Sequence, residues 1–221
     1  VLISYGAPSY LGAKTPVDDA ALGFSWHLYC PVPDSKLLPL GQITCSILNS
    51  LVYNQAKSGA ARLGAASLVT EFGATDDPDE ITRSTTLFDA QLLGWMYWAY
   101  KYWNDPTTSG GNTQSLFTDD ADLTTVKTAK LKLLERSYPQ FTAGIPEALS
   151  FDAESGAFSY RYTPRAATGP TEIYLPLALH YPNGYTVTVS GAQITSAAGA
   201  GRLILQNLAD ATEVSVSVSA R

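Results

Sequence analysis

The sequence predicts an α/β region over residues 1–141 and an all-β region over residues 142–221, and three observations carry that reading. Up to residue 141, short apolar runs alternate with helix-like stretches. Beyond it, apolar and polar residues alternate with period two between Gly and Asn turns. The first region also supplies only four strand-like runs. Alternating strands and helices build a parallel sheet covered by helices, and four strands cannot close a barrel without leaving open edges. The expected architecture is the C-terminal half of a TIM (β/α)8 barrel (strands five to eight) followed by an antiparallel β-sandwich. Strands one to four are expected on a second polypeptide or on a segment outside these residues, because an open half barrel exposes apolar surface and aggregates.

The elements follow in order. Val1-Leu2-Ile3-Ser4 reads as a buried-type strand, and Phe24-Ser25-Trp26-His27-Leu28-Tyr29 as a second. Ile47 to Ala65 is helix-like. Ser67-Leu68-Val69-Thr70-Glu71-Phe72 is a short buried strand. Pro78 to Leu93 reads as a helix, with Asp76, Asp77 and Asp79 near its positive end. Trp95-Met96-Tyr97-Trp98-Ala99-Tyr100 is a fourth strand. Leu123 to Arg136 reads as a helix, amphipathic through Val126, Leu133 and Leu134, with Pro139 beyond it. In the second region Phe158 to Tyr162, Tyr185 to Val189 and Val214 to Val218 alternate. The turn Tyr181-Pro182-Asn183-Gly184 precedes the second of these. That pattern indicates antiparallel sheets with one apolar face each.

Charged residues make up 15% of the 221-residue chain, well under the ~25% of an average soluble domain. Aromatics are 11%, with four Trp and thirteen Tyr. Few charges and many flat rings suit a protein that handles sugars, although most such rings are core. A net charge of −6, with no basic stripe, argues against nucleic acid as a partner. No apolar run approaches the ~18 residues of a membrane span. Val1 to Tyr5 lacks the basic region and cleavage site of a signal peptide, so an export signal is expected on a longer precursor. Cys30 and Cys45 flank the Pro- and Leu-rich stretch Pro31 to Thr44. Low charge and many Ser and Thr favour a secreted protein in which the two are bridged, constraining the loop by roughly 3 kcal/mol. The alternative is two free thiols in a cytosolic enzyme. Two His and two Cys offer little for a metal site. Neither a Gly-rich phosphate loop nor a Gly-x-Ser-x-Gly elbow occurs. No metal or organic cofactor is expected.

Three signals sit at the C-terminal ends of successive strands, where barrel enzymes place catalytic groups. Glu71 ends a buried apolar strand and is followed by Phe-Gly. A carboxylate there is costly unless it is hydrogen-bonded or used; the plainer alternative is a rim salt bridge. His27 and Tyr29 are two apart and so point to the same side of a strand. Tyr29 is expected to donate a hydrogen bond to Glu71, and His27 to bind a sugar hydroxyl or orient the other catalytic group. Trp95 and Trp98 face opposite ways on a regular strand. Trp98, nearer the strand end, is assigned the sugar platform and Trp95 the helix layer. Trp26 and Trp103 are expected to be packing or outer-subsite residues.

These residues resemble a known family. His27-x-Tyr29, Glu71 and Trp98 on three successive strand ends are similar to family 5 of the glycoside hydrolases. More narrowly, Val69-Thr70-Glu71-Phe72-Gly73-Ala74, Tyr97-Trp98-Ala99-Tyr100-Lys101 and Arg136-Ser137-Tyr138-Pro139 running into a sandwich resemble its actinobacterial endoglycoceramidases. The resemblance covers nearly the whole chain. It implies a retaining endo-β-glycosidase that releases intact oligosaccharide from the ceramide of glycosphingolipids by double displacement. It makes Glu71 the nucleophile, with Tyr29 and His27 as catalytic partners and Trp98, Lys101 and Trp26 as substrate-binding residues. It also implies an acid/base Glu in an Asn-Glu pair at the end of strand four, and no such pair occurs in this sequence. The expected partners are thus the N-terminal half of the same enzyme, a glycosphingolipid substrate and transient contact with a membrane surface, with no nucleic acid. Val32, Leu37, Leu38 and Leu40, with Phe117, either line an apolar slot for ceramide or simply pack. Two rivals stand beside this reading: another β-glucanase or exo-β-glycosidase of the same family, and a non-catalytic carbohydrate-binding module in residues 142–221.

Overall fold

Strands β1 (Leu2–Tyr5), β2 (Gly23–Leu28), β3 (Ala66–Gly73) and β4 (Gly94–Trp98) form one sheet in that order, every pair parallel. The computed structural model describes residues 2–5, 18–30, 39–103, 111–166 and 169–221. The sheet belongs to the first of two compact units, residues 1–88 with 93–131. Helices α1 (Pro39–Leu63) and α2 (Pro78–Ala90) connect its strands. In β2 the alternate residues Phe24, Trp26 and Leu28 are buried, as the period of a strand requires. Helix α1 lies so close to Phe24 that a Cβ on Gly59 would come within 2.9 Å of its ring. Trp26 meets Tyr53 of α1 and Phe88 of α2 at ring distances of 6.3 and 6.4 Å, and Phe88 meets Phe72 of β3 edge-on at 5.0 Å. One face of the sheet is thereby sealed, whereas Met96 of β4 is 54% exposed.

Strand β3 holds one residue more than either neighbour. Against β2, the register runs Trp26 with Val69 and then His27 with Glu71; against β4, it runs Val69 with Trp95 and then Phe72 with Tyr97. Thr70 is the extra residue, a β-bulge. Both Val69 and Phe72 are fully buried, although a regular strand would send residues three apart to opposite faces. The Thr70 hydroxyl is hydrogen-bonded to that of Ser25, itself buried in β2, and lies 3.5 Å from the Trp26 carbonyl. The indole N–H of Trp26 donates to the Ser67 hydroxyl at 2.9 Å, so polar links hold β2 and β3 on both sides of the bulge.

Element boundaries differ from the sequence expectation where side chains compete for backbone groups. Helix α1 begins at Pro39 rather than Ile47, since Pro is tolerated in a first helical turn; Cys45 therefore sits inside the helix. Helix α2 stops at Ala90, and Leu92 takes a positive φ of 55°. Strand β4 stops at Trp98, after which the Ala99 N–H turns to the Gln114 carbonyl at 3.0 Å. The helix expected over Leu123 to Arg136 shrinks to α3 (Thr128–Leu134). Asp119 and Asp122 accept the N–H groups of Ala121 and Thr124, and Val126 bridges to Phe117 in extended form. Short polar side chains that capture nearby N–H groups favour turns over helix. No described helix is long and apolar enough to cross a membrane.

The second unit, residues 89–92 with 132–221, contains two antiparallel four-stranded sheets. One has the order β10 (Ala192–Ile194), β11 (Arg202–Asn207), β8 (Thr171–Tyr174), β5 (Tyr138–Phe141). The other has β6 (Gly144–Phe151), β7 (Phe158–Pro164), β12 (Val214–Ala220), β9 (Tyr185–Ser190). The three alternating runs of the sequence fall in β7, β9 and β12 of this second sheet. Inward residues such as Tyr160, Tyr162, Ile173, Leu205, Val214 and Val216 form one core. Its tyrosines keep their hydroxyls satisfied: Tyr160 is bonded to Thr142, Tyr162 donates to Asn207, and Tyr181 donates to the Gly156 carbonyl. Arg136, buried, pairs with Asp89, donates to the Phe151 carbonyl and covers the Phe151 ring. Burial pushes the Asp89 carboxyl up, against the pull of Arg136.

Two predictions come from these contacts. Thr70→Val removes the hydroxyl partner of a buried Ser25 without changing shape. It should lower stability by about 1–3 kcal/mol, seen as a lower urea midpoint at unchanged m-value; an unaltered midpoint would mean that the hydroxyl pair does not hold the bulge. The second concerns His180, buried at the end of α4 (Leu177–His180). Its Nε2 meets two carbonyls, Lys132 at 3.0 Å and Glu135 at 2.9 Å, while Nδ1 has no hydrogen-bond partner among the described residues. Carbonyls only accept, so Nε2 carries the proton and the neutral ring is the fitted form. Burial holds the ring's pKa below its ordinary value. The unfolded chain therefore takes up a proton first as pH falls, and stability drops below about pH 6.5. In urea titrations from pH 7.5 to 5.5, His180→Gln should show a shallower decline than wild type; equal slopes would refute this linkage.

Candidate functional site

Glu71 lies just past the bulge, in register with His27. The Tyr29 hydroxyl donates to Glu71 Oε2 at 2.8 Å, and His27 Nδ1 lies 3.2 Å from the same oxygen. Oε1 accepts no hydrogen bond among the described residues. Burial, and then the bonded carboxylate, push the Tyr29 hydroxyl well above the ordinary phenol range, so it remains a donor at any ordinary pH. The Glu71 side chain is 30% exposed and Tyr29 37%, so a ligand can reach the carboxylate. The arrangement is an anchored carboxylate with one oxygen bound and the other open.

The chain after Glu71 is shaped by β4. Gly73 has a φ of +93°, and a Cβ there would lie 2.3 Å from the Tyr97 ring; both facts demand glycine. The Tyr97 hydroxyl donates to the Thr75 carbonyl at 3.1 Å, and the Ala74 N–H donates to the Trp98 carbonyl at 2.8 Å. Trp98 pairs in register with Gly73 and is half-buried, and its peptide bond to Ala99 is cis. Its indole N–H donates to Oε1 of the buried Gln114 at 3.2 Å. Trp95 turns the other way, edge-on to Phe72 at 5.1 Å.

Beneath this rim the buried Lys130 donates to the carbonyls of Thr113 (2.6 Å) and Ser115 (3.0 Å), pairs with Asp76 at 2.5 Å and sits over the Tyr97 ring. Burial pulls its ammonium down to about 8, with Asp76 opposing. Lys127 reaches the same Asp76 at 2.9 Å.

Other sequence assignments fare differently. Trp26 is fully buried and bonded to Ser67, so it fills the packing role and cannot touch substrate. Lys101 lies 5.3 Å from the ring of Trp103, which is 71% exposed; no contact joins it to Glu71 or Trp98 among the described residues. Phe117 is buried edge-on against Tyr100, a packing position. Val32, Leu37, Leu38 and the Leu40 side chain lie outside the described residues. A disulfide joins Cys30 to Cys45, their Cα atoms 5.3 Å apart. Those sulfurs and the Glu80 carboxylate lie within 4.8 Å of one another, the kind of group that can hold a metal. Here the sulfurs are bonded to each other, and Glu80 is engaged by Asn49, Arg83 and Ser84. Sequence reasoning missed Thr70, Gln114 and Lys130. The polar pair Thr70-Glu71 between two buried apolar residues was the one available signal for the bulge.

Residues 136–218 match the family described as the glycoside hydrolase family 5 C-terminal domain. Over 199 residues the chain is 35% identical to endoglycoceramidase I of Rhodococcus hoagii (strain 103S), covering 88% of this chain and 36% of that protein. The chain thus spans about a third of the curated relative it matches. Endo-glycoceramidase II from Rhodococcus sp., solved as a lactosyl-enzyme intermediate, aligns with 100% of this chain and 49% of its own at a TM-score of 0.75 and 23% identity. Its ganglioside GM3 complex aligns with 94% of this chain and 45% of its own, at a TM-score of 0.72 and 24% identity. Over most of its length this chain is similar in sequence to endoglycoceramidase I, in fold it is similar to endo-glycoceramidase II, and its residues 136–218 match the glycoside hydrolase family 5 C-terminal domain.

Proposed function

We propose that this chain is the C-terminal part of a retaining family 5 glycoside hydrolase that cleaves oligosaccharide from ceramide in glycosphingolipids, with Glu71 as its nucleophile. The observation that carries the reading is the Glu71 carboxylate, bound at Oε2 by Tyr29, with His27 Nδ1 3.2 Å from the same oxygen, and open at Oε1 among the described residues. The kinship with endoglycoceramidase I supports the substrate class. The four-stranded sheet is read as strands five to eight of a (β/α)8 barrel. Strands one to four and the acid/base carboxyl then come from a segment outside residues 1–221, and the uncovered face bearing Met96 is where that segment packs. Secretion fits the Cys30–Cys45 disulfide. The glycolipid brings the enzyme into transient contact with a membrane surface.

The proposed reaction is a double displacement. Oε1 of Glu71 attacks the anomeric carbon as its bond to the ceramide oxygen breaks, and the second carboxyl protonates that oxygen. Tyr29, fixed as a donor, occupies Oε2 and holds the carboxylate's plane. Water, deprotonated by the second carboxylate, then displaces Glu71 from the sugar. Two inversions give net retention, which requires the two carboxyls to lie about 5–5.5 Å apart. No metal or organic cofactor takes part.

Two experiments in the enzyme assembled from residues 1–221 and its N-terminal segment check this reading. Glu71→Ser should lower hydrolysis of a lactosyl lipid at least ~10⁴-fold while leaving binding in place. Azide added to Glu71→Ala should restore turnover and yield the α-glycosyl azide. Hydrolysis by Glu71→Ser near the wild-type rate would remove the nucleophile assignment. The tryptophans of β4 should separate as well. Trp98→Ala should depress kcat/KM with little loss of stability, and Trp95→Ala should cost about 3–5 kcal/mol of stability. The opposite pattern would mean that Trp95, not Trp98, is the platform.

A further inference from the structure

We propose that Gln114 is a positioning residue that fixes the plane of the Trp98 indole and so sets how tightly a sugar ring is held beside Glu71. The inference rests on the glycosidase reading above for the ligand, and on side-chain geometry for the mechanism. Gln114 ends the 3-10 turn Gly111–Gln114 and is fully buried. Its side chain bonds at both ends: Oε1 accepts the Trp98 indole N–H at 3.2 Å, and Nε2 donates to the Tyr102 carbonyl at 3.3 Å. An indole can only donate and a carbonyl can only accept, so the amide has one allowed orientation and cannot flip. The main-chain carbonyl of Gln114 accepts the Ala99 N–H at 3.0 Å. One residue therefore holds both the ring of Trp98 and the backbone that follows it.

Gln114 is itself clamped. The carbonyls on either side of it, Thr113 and Ser115, both accept from the Lys130 ammonium. That ammonium is paired with Asp76, five residues past Glu71. The Ala74 N–H, bonded to the Trp98 carbonyl, closes a ring of contacts that runs from the Glu71 strand to Trp98, Gln114, Lys130, Asp76 and back. A half-buried ring fixed at its N–H edge arrives at the ligand already ordered, which lowers the entropy lost on binding. A sugar stacked on Trp98 gains affinity through Gln114 without touching it.

The test combines spectroscopy with kinetics. In the ¹⁵N-labelled enzyme, the Trp98 indole resonance is assigned by its absence in Trp98→Phe. Gln114→Leu should move that resonance upfield and speed its hydrogen exchange, whereas Gln114→Glu, which keeps an acceptor, should preserve it. For a lactoside substrate, Gln114→Leu should raise KM roughly 3–10-fold with kcat little changed, and Gln114→Glu should recover most of that loss. In the Trp98→Phe background, which has a ring but no N–H, Gln114→Leu should have no further effect. A released indole with an unchanged KM would overturn the proposal, and so would an equal KM effect with Phe at position 98. If the wild-type enzyme hydrolyses no glycoside, the glycosidase reading fails separately. Lactose titrated against the Trp98 resonance then decides: a midpoint weakened in Gln114→Leu upholds the positioning role, and no response in wild type ends it.

Discussion

The one-residue insertion at Thr70 governs how the first unit is organised. On a regular strand Glu71 would share a face with Val69 and would point into the helix layer, where an ionised carboxylate is costly to bury. The bulge turns the strand over between Val69 and Phe72. Both apolar side chains stay beneath α1 and α2, and the carboxylate emerges next to His27 and Tyr29. Everything after it depends on that change of face. Phe72 must reach Phe88 and Trp95, which brings Gly73 under the Tyr97 ring, where no larger residue fits. The loop is then stitched to Trp98 through Ala74.

The second unit answers to a different constraint. Its core is rich in tyrosine, and each buried hydroxyl needs a partner. The partners are carbonyls, the Ser137 and Thr142 hydroxyls and Asn207, drawn from distant parts of the chain. Asn207 accepts from Tyr162 and donates to the Ala143 carbonyl. Such pairings make the strand register more exacting than apolar packing alone, because a slip of one residue would orphan several polar groups together.

Much of this was legible in the sequence, and the reasons are local. Period-two alternation marks β7, β9 and β12 because each has one wet and one dry face. The spacing of His27 and Tyr29 places both on one side of a strand, and an acidic residue closing an apolar run marks Glu71. What stayed hidden depends on neighbours. Strict parity puts Glu71 on the face of Val69, and only the adjacent polar pair Thr70-Glu71 hinted at the bulge that turns it over. Trp26 carries no sign that α1 and α2 close over it. Val126 looked helical because apolar periodicity outweighed the capture of N–H groups by Asp119 and Asp122. Gln114 and Lys130 act through contacts across twelve to fifty-four residues of chain, beyond the reach of any local pattern.

The disulfide between Cys30 and Cys45 has a consequence for how such a protein can diverge. Cys30 directly follows Tyr29, the donor to Glu71, and Cys45 lies in the body of α1. The covalent link pins the end of β2 to the helix layer, whatever sequence runs between the two cysteines. Residues 31–38 can therefore change in length and character while the hydroxyl beside the carboxylate keeps its place. The sulfur bond is the border between a tyrosine whose place must be inherited and a stretch that is freer to drift.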